Sequence, residues 1–128
     1  MALAMPLLML VTVGVFEFGR AYHTSQALTN AAREGARVAV LPYPTAGAVD
    51  AKVRQYLEMS GLTSDATVGV TVAAPAGTAK DAASEVTISY PFQFVVLQPV
   101  AQLLVSGSIV DSPITVTATS VMRTEAGS

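Results

Sequence analysis

The chain has no cysteine, so disulfides and cysteine-based metal sites are excluded. Charge is scarce: Asp, Glu, Lys and Arg make up 12% of the residues, about half the usual share. The net charge is −2 and the seven Lys and Arg form no cluster, which argues against nucleic acid or an anionic membrane surface as the main partner. Histidine occurs once, at His23, where a polar contact between packed helices is a better reading than a catalyst lacking a nucleophile. Asp65, Asp81 and Asp111 are scattered without the dense oxygen spacing of a calcium loop, so no metal site is expected. Ala74 to Thr78 lacks the Gly-x-x-x-x-Gly-Lys order of a phosphate loop. Neither an enzyme nor a cofactor-binding protein is expected.

What is present is hydrophobic, at 52% of the residues, and it is concentrated at the start. Residues 1–16 carry no charge, and after Pro6 no proline occurs before Pro42. Ala, Leu, Gln, Arg and Glu then dominate residues 21–40, all favourable to helix. These features predict one helix from Met1 to about Leu41, ended by Pro42-Tyr43-Pro44. At 1.5 Å per residue it would reach roughly 60 Å, too long for a chain of this size to cover. Leu, Met and Val lie on all sides of its first part, so burial there must come from every direction, from a membrane or from neighbouring copies. No Lys or Arg precedes the run, and its 16 uncharged residues span only ~24 Å against a hydrocarbon core of ~30 Å.

Higher on the same helix, Ala27, Ala31, Gly35 and Ala39 recur every four residues, with Ala32 and Ala36 beside them. Small residues at this spacing allow close approach of another helix, either of the same chain or of a neighbour. In an assembly, Gly35→Leu is then expected to stop polymerisation before it stops folding. Glu17 and Arg20 are the only charges before Arg33, three residues apart on one helix face. Buried in an assembly, Glu17 needs a partner: Arg20 of its own or a neighbouring chain, or a free amino terminus. At a membrane boundary the pair would instead be solvated beside Phe16 and Phe18. Thr12, Val13, Gly14, Val15 and Gly19 are weak helix formers, so any break in the helix is expected between Thr12 and Gly19.

The remainder reads as a small head. Thr45 is placed to cap a second helix over about residues 46–60, with Val49, Val53, Tyr56 and Leu57 on one face, an Asp50–Arg54 pair, and Gly61 to stop it. This helix is expected between the long helix and a sheet. Period-two alternation then predicts strands over residues 67–72, with Val68, Val70 and Val72 inward, and over 85–90, with Val86, Ile88 and Tyr90 inward. Residues 73–83 read as the loop joining them. A last strand, 114–122, turns Ile114, Val116, Ala118 and Met122 to one face, and residues 108–110 could add a short one before it. Residues 91–107 contain no charge and break the alternation. They form either a buried crossover or a docking patch for a neighbouring subunit carrying Phe92, Phe94, Leu97, Leu103 and Leu104. The fold class is α+β: a long N-terminal stem helix, one short helix and a three- to four-stranded antiparallel sheet, divided as stem 1–41 and head 42–128.

The stretch MPLLMLVTVGVFEFGRAYHTSQALTNAAREGARVAV resembles the N-terminal signature of TadE-like proteins, pilin-like subunits of tight-adherence and related type IV pilus systems. Its strongest parts are Pro6-Leu7-Leu8, Phe16-Glu17-Phe18-Gly19-Arg20, and the block from Gln26 to Arg37; residues 114–125 are similar to the family's closing strand. Members typically carry a Glu shortly before the Leu-Pro-Leu-Leu run, near a prepilin-peptidase cleavage point, whereas nothing acidic precedes Glu17 here. That Glu would fall just ahead of Met1, which leaves maturation at an unusual place or an incomplete N-terminus as the readings. The resemblance implies a structural subunit held in the inner membrane before assembly, handled by pilus assembly machinery, and polymerised as a helical homo-oligomer into an extracellular filament at the cell surface. The alternative is a membrane-anchored minor pseudopilin or assembly factor of such a system. Gly14, Glu17, Arg20, Ala27, Ala31, Gly35 and Ala39 are the candidate helix–helix assembly residues.

Overall fold

Pro6 sits where the first amides of a helix have no intrahelical acceptor, so the uncharged start and the alanine-rich continuation can join without a break. The computed structural model describes residues 2–41, 47–64, 67–73, 83–96, 99–100 and 114–123. In it, α1 runs continuously over Ala4–Ala39, 36 residues or about 54 Å. It is unbroken through Gly14 and Gly19, where sequence reasoning put the weakest point. The hydroxyls of Thr12, Thr24 and Thr29 donate to the carbonyls of Leu8, Arg20 and Ser25, at 2.9, 3.0 and 2.9 Å, and so are satisfied within the helix.

The second helix, α2, spans Ala48–Met59, two residues inside the predicted start. Thr45 lies outside the described residues; the N-cap position is held by Gly47, left-handed at φ 82°. The C-terminus behaves as its glycine predicts. Gly61 is left-handed at φ 74°, its N–H donates to Glu58 O at 3.0 Å, and the Leu62 N–H donates to Leu57 O at 2.9 Å. These two reversed bonds form a Schellman ending, and Leu62 packs against the core that contains Leu57.

Three strands form one antiparallel sheet in the order β1-β2-β3: β1 Gly69–Ala73, β2 Ala83–Phe92 and β3 Ile114–Arg123. Val86 and Ile88 point to the helices and are fully buried; Thr87 and Thr119, opposite each other on the outer face, share a hydroxyl hydrogen bond at 3.2 Å. The central strand runs two residues past the predicted end, through Pro91. Its pairing with β1 stops at Ser89, so on that side Pro91 has no ladder partner to disappoint. Val72, expected inward, is 46% exposed on the edge strand.

The layering corrects one expectation. α2 does not lie between α1 and the sheet. α1 itself packs on β2 and β3, and α2 lies against α1 and reaches the edge strand β1. The reason is steric: Ala31, Ala32, Gly35 and Ala36 let α1 approach the sheet and α2 at once. The core joins Leu28 and these alanines to Val49, Val53 and Leu57 of α2 and to Val68, Val86, Ile88 and Ala118 of the sheet. The fold is α+β, a long N-terminal helix with a short helix and a three-stranded antiparallel sheet.

Candidate functional site: the stem and its junction with the head

Along α1 the environment changes at Glu17. Before it, the large side chains are exposed apart from half-buried Val13, among them Leu3 at 88%, Leu8 at 70% and Phe16 at 73%. After it, Thr24, Ala27, Leu28, Ala31, Ala32 and Ala36 are buried in the head. Among the described residues little covers the first half, whose apolar residues on all sides leave no single face for one small head to take. By length and composition this helix qualifies to cross a membrane.

The junction is built around one carboxylate. Glu17 is 1% exposed. Its Oε1 accepts from the backbone N–H groups of Val95 and Val96, at 3.1 and 3.2 Å, and its Oε2 from Val95 at 3.2 Å. Arg20 Nη2 stands 3.6 Å from Oε2 and also donates to the Gln93 carbonyl. The Arg20 guanidinium lies 4.9 Å from the centre of the Phe92 ring, in cation–π range. Phe92 meets Phe94 edge-on at 5.2 Å, and Phe94 meets Phe18 of α1 at 6.5 Å. Residues 92–96 are thus tied to the stem by amide, charge and ring contacts together.

Above the junction, a cleft of about 770 Å³ opens between α1, the end of α2 and the end of β2. Arg20, His23, Thr24, Thr63, Tyr90 and Gln93 contribute polar atoms to its wall. His23 is exposed there rather than packed between helices as the sequence suggested. No group of three or more His, Asp or Glu side chains suited to a metal ion occurs among the described residues.

The candidate residues fall into separate environments. A Cβ on Gly14 would meet nothing within 4 Å, which leaves that face of the stem open. Ala27, Ala31 and Gly35 are buried inside the chain's own head, and Ala39 packs at the core margin. A Cβ on Gly35 would lie 2.7 Å from Val53 Cγ2, 3.3 Å from Val86 Cγ1 and 3.4 Å from Val49 Cγ1, so the close approach is to α2 and β2. Phe92, expected in a docking patch, is buried at 5% beneath Arg20, while Phe94 is half-buried. Leu97, Leu103 and Leu104, with Asp65, Asp81 and Asp111, lie outside the described residues.

Sequence reasoning missed two contributors. The Val95 and Val96 amides carry no side-chain signal, and only the lack of any charge in residues 91–107 set that segment apart. Arg54 was read as one half of a helix pair. It does hold Asp50 at 2.8 Å, and it also donates to the Ser64 carbonyl at 2.6 Å and the Val68 carbonyl at 3.3 Å, fastening the segment that leads into β1.

The family model described as TadE-like protein matches residues 1–37, which covers the exposed stem, Glu17, Arg20 and the small-residue stripe as far as Gly35. No curated protein and no solved structure matches the chain.

Proposed function

Taking residues 1–37 as those of a TadE-like, pilin-related protein, we propose that the chain is a structural subunit that polymerises through the apolar first half of α1 into an extracellular filament. Before assembly the same surface holds the subunit in the inner membrane, and the pilus assembly machinery extracts it from there. The observation that carries this reading is the division of α1 at Glu17: the second half packs one face into its own head, while the first is exposed nearly all round. A helix bare all round needs partners on several sides, which lipid or a bundle of identical stems supplies and a single partner protein does not. Gly14, with open space at its Cα, is a position where a neighbouring stem can come close.

The second reading, a minor pseudopilin or assembly factor, keeps the same anchor but places the chain at trace level in another protein's fibre. The test is to shear surface fibres from cells expressing the whole system, image them, and identify the chains by mass. A homopolymer of this chain supports the first reading, and trace amounts in another pilin's fibre support the second. Its absence from all fibres, with the chain retained in the membrane, overturns filament membership.

A further inference from the structure

We infer that residues 94–96 form a second membrane contact, resting in the lipid interface beside the stem while the subunit is anchored. Glu17 is the first charge along the helix. Glu17 would ordinarily break the apolar surface of α1, yet its carboxylate is 1% exposed, accepts from the Val95 and Val96 N–H groups, and has the Arg20 charge 3.6 Å away. A carboxylate satisfied in this way needs no water, and without water its charge and the two amides are tolerated next to lipid. The segment that withdraws Glu17 then replaces it at the surface with apolar side chains. Val95 is 63% exposed and Val96 39%, and half-buried Phe94 stands edge-on to Phe18.

The exposed apolar surface of the stem therefore continues past Glu17 without a charged gap. Val15, Phe16 and Phe18, at 70, 73 and 68% exposed, ring the helix at the level of Glu17, and Phe18 meets Phe94 of the segment that carries Val95 and Val96. Tyr22, one turn further, is 68% exposed and joins Phe16 and Phe18 in the kind of aromatic band found where a membrane helix leaves the hydrocarbon. The Arg20 side chain, 38% exposed, keeps its guanidinium over the Phe92 ring and beside Glu17, so the two charges offset each other at this boundary. The occupant matching an uncharged ring of Val and Phe below a Tyr and an Arg is the acyl–headgroup boundary of a bilayer. A polar protein surface does not match it.

This inference rests on the anchored reading of the stem, and two probes separate them. The chain contains no tryptophan, so single-tryptophan variants report one place each. Val95→Trp reports the head segment and Leu8→Trp the stem, both at exposed positions. Each full-length variant is reconstituted in phosphatidylcholine vesicles with bromine near the headgroup end of the acyl chains, near their tails, or absent. The expected result is a blue-shifted Val95→Trp emission, quenched most by shallow bromine, with Leu8→Trp also quenched. Leu8→Trp quenched with Val95→Trp unquenched overturns the inference and leaves the anchor standing. Neither quenched overturns both. A blue-shifted but unquenched Val95→Trp means another copy of the chain covers the patch, which also overturns it. If Val95→Trp loses the wild-type far-UV circular dichroism, Phe94→Trp, which keeps a ring against Phe18 and Phe92, repeats the measurement with the same outcomes.

Discussion

Gly35→Ala places one methyl where the structure has room for none. The added Cβ would lie 2.7 Å from Val53 Cγ2, about 1 Å inside the usual 3.5–4.0 Å carbon contact, with Val86 and Val49 methyls at 3.3 and 3.4 Å. Val53 cannot swing aside: it is fully buried, and a β-branched side chain in a helix has essentially one rotamer. Overpacking of this kind costs about 1–3 kcal/mol. Against it stands the helix-propensity gain of Ala over Gly, about 1 kcal/mol. The net change, a loss of roughly 0–2 kcal/mol, would be ambiguous alone. Gly19→Ala removes the ambiguity, because a Cβ there meets nothing within 4 Å and only the propensity gain remains. The difference between the two alanine variants isolates the close approach, and we expect about 1–3 kcal/mol. The assay is denaturant unfolding of the full chain in detergent, followed by far-UV circular dichroism. If Gly35→Ala and Gly19→Ala change stability equally, the packing of α1 on α2 and β2 described above is wrong. Adding Val53→Ala should rescue part of the Gly35→Ala loss, because the new methyl enters the vacated space.

Glu17→Ala leaves the part-buried Val95 and Val96 amides without their acceptor, at about 1–3 kcal/mol in all, and should loosen residues 92–96 in hydrogen exchange. Arg20→Gln should cost less, since Glu17 keeps both amides; equal losses for the two variants would refute the amide-centred junction. Arg54→Ala removes bonds to Asp50, Ser64 and Val68, and should destabilise by about 1–2 kcal/mol. Asp50→Asn weakens only a half-exposed pair and should change stability by about 0.5 kcal/mol or less in the same unfolding assay; the reverse order would show that the Ser64 and Val68 contacts contribute little. Gly61→Ala should lose about 1–2 kcal/mol although a Cβ there meets no neighbour, because φ +74° is left-handed; wild-type midpoints would mean that the ending of α2 relaxes freely.

The periodic features were readable without coordinates. Uncharged residues 1–16 followed by alanine-rich helix formers can only be a long helix, and alternation at 85–90 and 114–122 can only be half-buried strand, because both patterns are local and recur at the period of the backbone itself. Gly61 was legible for the same reason, as a glycine at the end of an apolar helical face. The family resemblance also lay in a continuous stretch. What the tertiary structure decided is which segment returns to which face. The stripe through Ala31 and Gly35 promised a close neighbour without saying whose, and folding assigns it to Val49, Val53 and Val86 of the same chain. Gly35→Leu, expected from the sequence to stop assembly first, therefore acts on the head's own fold. Glu17 needed a partner, and only Arg20 was near it in sequence. The carboxylate is instead held mainly by amides 78 and 79 positions away, in a segment whose side chains give no hint of it. Backbone donors are present at every residue but proline, so sequence cannot mark the two that count; only the path of the chain brings them to Glu17.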